Sequence, residues 1–291
     1  MFKKITSQQN AVVKHWIALR EKKQYRLDQQ RVVVQGAKII KELYQQGCQI
    51  RSLAITTDKK DKDIKHAALD MVQHPLPADA YYETDIHLAR RILGTSSRPG
   101  KHDVFAEIPV PSHTPSLKDT RLLVFDKIND PGNLGTLVRS ARALGWQSGL
   151  ISEGTCDLYN DKVVRASKGL SILWPHTSYK HMQTMLTELK QHHYTPLVAD
   201  MLPATLPTDL WSPENAHPIK PGAGLCLWNF PQTMKRQVPQ KIALILSSEH
   251  QGVHPILDQE IKVSLPMYSH VESLNVANAG SIIMFELNKW L

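Results

Sequence analysis

The chain has 291 residues, 42% hydrophobic and 21% charged, with 14 glycines and 18 prolines; this ordinary globular composition has length for two domains and excludes collagen-like, disordered and membrane-embedded classes. No stretch approaches the roughly 18 apolar residues of a spanning helix, and Met1–Ser7 leads into polar residues without an apolar signal core, so the cytosol is the expected compartment. The formal charge of +8 is localised, since residues 1–60 hold 13 basic and 4 acidic side chains while the remaining 231 hold 22 and 23.

A basic segment on an otherwise neutral chain suits a phosphate-backbone partner, because each neutralised phosphate releases counterions. The segment lacks the Trp- and Phe-rich apolar face of a membrane-surface helix. In chain order, Gln8–Arg20 reads as a helix, Val32–Val34 as a short β-branched strand, Ala37–Gln46 as a helix and Ile50–Thr56 as a strand. Glu83–Leu93 and Val104–Ile108 read as another helix and strand, which gives a small α/β domain over residues 1–107. Prolines 109, 111 and 115 mark residues 108–119 as an extended linker.

From 120 to 291 the alternation is clearer. Strands are expected at Leu122–Phe125, Gly149–Ser152, Leu197–Ala199, Ile242–Leu246 and Val263–Leu265, with helices at Leu134–Leu144, Lys162–Gly169 and Leu274–Trp290. This pattern predicts a parallel sheet covered by helices. Between Met201 and Lys241 there are seven prolines and little periodicity, so 201–241 reads as a long surface insertion.

Several chemistries drop out. The three cysteines, Cys48, Cys156 and Cys226, are odd in number and have no paired Cys/His spacing, so neither a disulfide framework nor a metal site is expected; His192-His193 reads as a solvated helix end. Gly222-Ala223-Gly224 lacks the third glycine of a dinucleotide fingerprint, and Asp130–Gly135 lacks the Gly-Lys-Ser/Thr of a P-loop. Ser247-Ser248-Glu249-His250 is not set in a Gly-x-Ser-x-Gly elbow.

Three segments at the carboxyl ends of expected parallel strands remain, where ligands of open α/β sheets bind. Phe125–Ala141 is a strand, a tight Asp130-Pro131-Gly132-Asn133 turn and a helix carrying Arg139 about one and a half turns in. Taken alone, the segment reads equally as a well-made turn followed by a solvated arginine, and for Asp130, Pro131 and Gly132 the structural reading is the better one. Leu244–Val253 is an apolar strand ending in Ser247, Ser248 and Glu249. Leu265–Gly280 leads through Pro266-Met267 to Ser273-Leu274-Asn275 at the start of the last helix, with Ser273 as the expected N-cap.

Together these segments resemble the three motifs of the SpoU (TrmH-type) branch of the SPOUT RNA methyltransferases, over about residues 121–291. Asp157–Gly169 also matches the family. Ser7-Gln8-Gln9-Asn10 and Val33-Val34-Gln35-Gly36 resemble, more weakly, the substrate-binding domain that precedes many such catalytic domains, with Gln35 where a Glu is usual. The resemblance implies an α/β protein whose C-terminal domain is a trefoil-knotted parallel-sheet SPOUT domain behind a smaller α/β substrate-binding domain. It implies S-adenosyl-L-methionine as cofactor, a structured rRNA or tRNA as partner, and a homodimer through the knotted domain with both protomers contributing to each site.

By motif position the resemblance places Ser247, Gly252, Leu265, Met267, Ser273 and Leu274 in the cofactor pocket, and assigns Asn133, Arg139, Glu249 and Asn275 to catalysis and RNA positioning. The implied reaction is methylation of a ribose 2′-hydroxyl, with Arg139 clamping a phosphate and stabilising the developing alkoxide. Ser247, His250 and Ser269 stand where the family usually has glycine, and Ala277 where it often has serine. The alternative is a catalytically impaired knotted RNA-binding protein in which those changes have removed the cofactor.

Overall fold

The computed structural model describes residues 2–57, 67–95, 104–112, 115, 118–201, 224–226, 239, 241–248, 252–265 and 273–289, with backbone alone at 67–69 and 224–226. The chain divides into two compact units, residues 1–112 with 157–173, and residues 113–156 with 174–291.

The first unit contains β1 (Lys3–Ile5), α1 (Ala11–Glu21), α2 (Lys23–Gln29), β2 (Arg31–Gln35), α3 (Ala37–Gln45), β3 (Ser52–Thr57), α4 (Ala67–Gln73), β4 (Ala80–Asp85), α5 (Ile86–Leu93) and β5 (Val104–Pro109). Its sheet order is β1-β4-β3-β5-β2, parallel from β1 to β3, with β5 antiparallel to both its neighbours. The α1 helix begins at Ala11 because the Asn10 side chain accepts the Val12 N–H, and it turns Val13, Trp16 and Leu19 inward. Glu83–Asp85, expected as helix, belongs to β4. Thr84 is buried there and Asp85 caps the following α5 by accepting the Leu88 N–H at 2.8 Å. Strand β5 also runs two residues into the expected linker, and Pro109 is tolerated because β3 pairs only as far as Glu107 on that side.

The second unit contains β6 (Arg121–Asp126), α6 (Pro131–Ala143) and β7 (Gly149–Ser152). The chain then returns to the first unit for α7 (Asp161–Ala166). It comes back for β8 (His176–Tyr179), α8 (Met182–Gln191), β9 (Thr195–Ala199), β10 (Gly224–Cys226), β11 (Ile242–Ser247), a single 3-10 turn at Pro255–Leu257, β12 (Ile261–Ser264) and α9 (Val276–Leu287). Its seven strands follow the order β10-β12-β9-β11-β6-β7-β8, and every pairing is parallel. The apolar runs Leu122–Phe125 and Ile242–Leu246 are fully buried, as central parallel strands covered on both faces must be. One face packs on Met182, Met185, Leu186 and Leu189 of α8, spaced i, i+3, i+4, i+7. The strand β8 and helix α8 are additions to the elements read from the sequence. Apart from β10 and the points at 201, 239 and 241, the 201–241 insertion lies outside the described residues.

The sequence places residues 157–173 in the second domain; the structure packs them into the first. Val164 and Ile172 are buried with Ile40, Leu43 and Val104. Arg26, 4% exposed, donates from Nε and Nη2 to Asp157 Oδ2 at 3.0 and 2.5 Å and from Nη1 to the Leu19 and Arg20 carbonyls at 2.8 and 2.7 Å. A buried guanidinium stripped of these partners is costly, so the segment is fixed by charge as well as by packing.

A second buried charge joins α1 to the sheet. Glu107 accepts from His15 Nε2 at 3.2 Å, Arg31 Nη1 at 2.7 Å, Trp16 Nε1 at 3.3 Å and Ser52 Oγ at 3.0 Å. Burial by itself raises this carboxyl, but the hydrogen bonds from His15, Arg31 and Ser52 and the His15 charge outweigh it, bringing it down to about 2.

Two outcomes are expected. Because the Glu107 carboxyl is lower folded than unfolded, its stabilisation is complete above about pH 4.5 and is lost as pH falls toward 2. Urea unfolding across that window should show a loss of roughly 3 kcal/mol in the parent that Glu107→Gln does not show. Arg26→Ala should destabilise by about 3–5 kcal/mol, read by thermal unfolding, because it strands the Asp157 carboxylate. A chain beginning at Lys118 should be worse still, since it bares Val164 and Ile172, which are 2% and 1% exposed in the whole protein.

Candidate active site

The carboxyl edge of the second sheet is organised by Asp126, the last residue of β6. Only 2% exposed, its carboxylate accepts from Ser152 Oγ of β7 at 2.8 Å and from Ser247 Oγ of β11 at 3.3 Å. Its carbonyl accepts the Ser248 N–H at 3.1 Å, and Ser152 Oγ in turn accepts the Lys127 N–H at 3.0 Å. Three neighbouring strand ends are thus tied to one side chain. The polar residues occur where each apolar run stops, because there the backbone leaves the sheet and needs local partners.

Beside this clamp lies a cavity of about 220 Å³. Its walls come from Ala199 and Asp200 at the end of β9, Leu246, Ser247 and Ser248 at the end of β11, Val263, Ser264 and Leu265 at the end of β12, Gly252 and Val253 between them, and Ser273, Leu274, Val276, Ala279 and Ile283 at and before α9. Five of the six expected cofactor residues, Ser247, Gly252, Leu265, Ser273 and Leu274, therefore line one space; Met267 lies outside the described residues. The apolar side chains suit a flat ring, and Asp200, Ser248 and Ser264 supply polar partners that the sequence reading did not single out. Asp200 is already fixed by the Met201 N–H at 2.8 Å and Lys262 Nζ at 3.4 Å. The Ser247 hydroxyl is bonded to Asp126, so the serine that replaces a glycine has its polar atom occupied.

The expected catalytic residues separate into three groups. Asn275 Nδ2 donates to Asn133 Oδ1 at 3.0 Å, bringing together the starts of α6 and α9. The α6 start is shaped by Asp130, whose carboxylate accepts the Asn133 N–H at 2.7 Å, with Pro131 at the first helical position. The N-cap of α9 is Asn275 rather than Ser273, because the helix starts at Val276 and Asn275 Oδ1 accepts the Ala277 N–H at 3.0 Å. Two helix N-termini held side by side favour an anionic group. Arg139 is exposed on α6, outside the cavity walls and without a polar partner among the described residues. Glu249 lies outside the described residues, as do His250 and Ser269.

Asp126 and Asp200 are the site residues that sequence reasoning missed. Both are the first acidic residues after an apolar parallel strand, which is the signal that finds them. Among the described residues no group of three or more His, Cys, Asp and Glu side chains comes together to hold a metal ion.

Comparison with known proteins gives the family. The model of the SpoU rRNA methylase family matches residues 120–285, and that of an MRM3-like substrate-binding domain matches residues 10–78. The 23S rRNA (guanosine(2553)-2′-O)-methyltransferase RlmP of Bacillus subtilis (strain 168) is 26% identical over 98% of this chain and 99% of its own. Among solved structures, an AdoMet-bound rRNA methyltransferase from Sinorhizobium meliloti aligns with a TM-score of 0.72 at 18% identity, covering 99% of this chain and 98% of that one. The SpoU methyltransferase AviRb from Streptomyces viridochromogenes aligns at 0.70 and 20% identity over 96% and 98%. At these identities the two structures speak for the fold, and the match over residues 120–285 speaks for the family: the chain belongs to the SpoU rRNA methylase family.

Proposed function

We propose that this protein transfers a methyl group from S-adenosyl-L-methionine to a ribose 2′-hydroxyl in structured RNA, in the cytoplasm, as a homodimer. The observation that carries this reading is the convergence of Ser247, Gly252, Leu265, Ser273 and Leu274 on a single cavity beside the Asn133–Asn275 pair. A match to RlmP over nearly the whole of both chains supports rRNA as the substrate class.

The cofactor supplies an electrophilic methyl on a sulfonium. Leu246, Leu265 and Leu274 would hold its adenine, while Asp200, Ser248 and Ser273 offer partners to its polar groups. The paired starts of α6 and α9 would seat the phosphate next to the target ribose. Arg139 has no competing ion pair among the described residues, so its guanidinium is available to a phosphate and to the alkoxide that forms as the hydroxyl gives up its proton to that phosphate, to Glu249 or to water while its oxygen takes the methyl and S-adenosylhomocysteine leaves. Glu249 completes the set by motif position.

Strand order supports the trefoil knot. After β9 the chain reaches β10 at the sheet edge, then enters β11 between β9 and β6, and then crosses back to β12 between β9 and β10. The dimer is supported by α9, where Ile282 and Phe285 are 44% and 52% exposed on one stripe of a strongly apolar helix. Helix α9 packs on α6, the helix that carries Arg139. A second protomer covering Ile282 and Phe285 would therefore lie close to Arg139, consistent with a site built from both chains.

Calorimetric titration with S-adenosylhomocysteine tests the cofactor. Binding is expected for the parent, equal or tighter binding for Ser247→Gly, and at least about tenfold weaker binding for Asp126→Ala, which removes two hydrogen bonds to a charged acceptor. Absence of binding by parent and Ser247→Gly alike at millimolar ligand would sink the enzymatic reading. Arg139→Ala should lower methylation of rRNA by about a hundredfold or more with cofactor affinity unchanged, and Arg139→Lys should rescue little because an ammonium lacks the planar fork. Mixing Arg139→Ala with Leu274→Arg chains should restore part of the activity if one site draws on both protomers; near-parental turnover by Arg139→Ala alone would remove its assignment.

A further inference from the structure

A second and larger cavity, about 460 Å³, opens at the carboxyl ends of β6, β7 and β8, on the other side of the Asp126 clamp from the cofactor cavity. Its walls include Lys127, Glu153, Lys180, His181 and His254, together with the first turn of the ten-residue α8. Nothing in the reaction described above uses it.

Four features give it a chemical preference. Lys127 and Lys180 have no carboxylate partner among the described residues, in a protein whose other exposed cations are often ion-paired. Lys127 is held in the left-handed region at φ 53°, where glycine or asparagine costs less, so a long cationic side chain persists at a strained position. His254 Nδ1 accepts the Ile256 N–H at 3.2 Å, which fixes the proton on Nε2 and makes that nitrogen a donor. The N-cap of α8, His181, makes no side-chain capping bond, leaving the first N–H groups of that helix to other acceptors. Of the two acidic residues in the walls, Asp126 has its oxygens engaged by Ser152 and Ser247, and Glu153 is exposed.

We propose that this cavity is a substrate subsite that takes a phosphodiester-linked nucleotide of the RNA, with Lys127 and Lys180 on its phosphate. The proposal rests on the RNA methyltransferase reading and extends it. The Ser247 hydroxyl belongs to the cofactor cavity and Asp126 to this one, and they are bonded at 3.3 Å, so an RNA strand seated here lies alongside the methyl donor. Two lysines on this edge give the second unit its own grip on RNA, in addition to the basic first unit.

The test measures binding of purified, protein-free 23S rRNA as a function of salt. Lys127→Gly suits the left-handed backbone and so removes the cation without strain; it is combined with Lys180→Ala. The double variant is expected to bind at least tenfold more weakly at 150 mM salt, with the slope of log affinity against log salt reduced by about 0.7–0.9 per lysine. S-adenosylhomocysteine affinity and melting temperature should be unchanged, KM for RNA should rise more than kcat falls, and Lys180→Arg should bind like the parent.

Unchanged RNA affinity and slope in the double variant would overturn the subsite while leaving the enzymatic reading intact. Failure of the parent to bind rRNA at all would overturn both. Binding of free adenosine monophosphate that the lysine changes abolish, with rRNA affinity untouched, would make this a small-molecule site and overturn the proposal as well.

Discussion

The second unit depends on how the buried carboxylate of Asp126 is satisfied. A carboxyl group that is 2% exposed is tolerable only if its oxygens find donors, and here the donors are hydroxyls at the ends of two other strands, Ser152 and Ser247. That requirement fixes the mutual register of β6, β7 and β11 at the edge where backbone pairing gives out. Both cavities are consequences. The smaller cavity has Ser247 as a wall, and the larger one has Asp126 and Ser152 in its walls. The parallel pairing from Ile242↔Arg121 to Ser247↔Asp126 delivers these residues side by side, so a ladder set by apolar burial ends in a polar device.

The same logic explains why Ser247 can stand where the family has glycine. Ser247 is one wall of the cavity, but its bond to Asp126 holds the hydroxyl against the end of β6 with its polar atom occupied. The motif resemblance implies a glycine at this position; it does not show that an acceptor 121 positions earlier is waiting for the hydroxyl. The impaired-enzyme alternative drew on that substitution, and the geometry gives it no support.

What was legible in the sequence follows from what is local. Buried parallel strands are continuous apolar runs, so Leu122–Phe125 and Ile242–Leu246 stand out, and the Asp130-Pro131 start of α6 is written in cap chemistry. The helix α8 was equally legible from Met182, Met185, Leu186 and Leu189, yet it lies between polar residues that dilute the pattern. Strand β8, His176–Tyr179, was not, since a polar edge strand carries no apolar signature. The placement of residues 157–173 was beyond reach for a different reason: it is decided by Arg26 meeting Asp157 across 131 positions and by Ile172 and Val164 filling a core whose other members all lie before residue 110. Motif resemblance groups that segment with the catalytic domain in sequence, while packing groups it with the substrate-binding unit. The segment therefore ties a stretch of the catalytic motif set to the basic part of the chain.

Gly280 shows how a residue with no chemistry sets the geometry of those that have it. A Cβ there would come 2.7 Å from Cδ2 of Leu137 on α6 and 2.7 Å from Cδ1 of Leu246 on β11, so two fully buried side chains would have to shift. The glycine lets α9 settle against both, and Ser281 adds a hydrogen bond to Ser140 of α6 at 2.8 Å. Asn275 lies five positions before Gly280, little more than one helical turn away, so any lift of α9 at the contact is carried to its first residue. The 3.0 Å bond from Asn275 to Asn133 is thus the far end of a close-packed contact. Alanine at position 280 would press its methyl on both leucines, so the absence of a side chain there is what sets how closely α9 lies on α6 and β11.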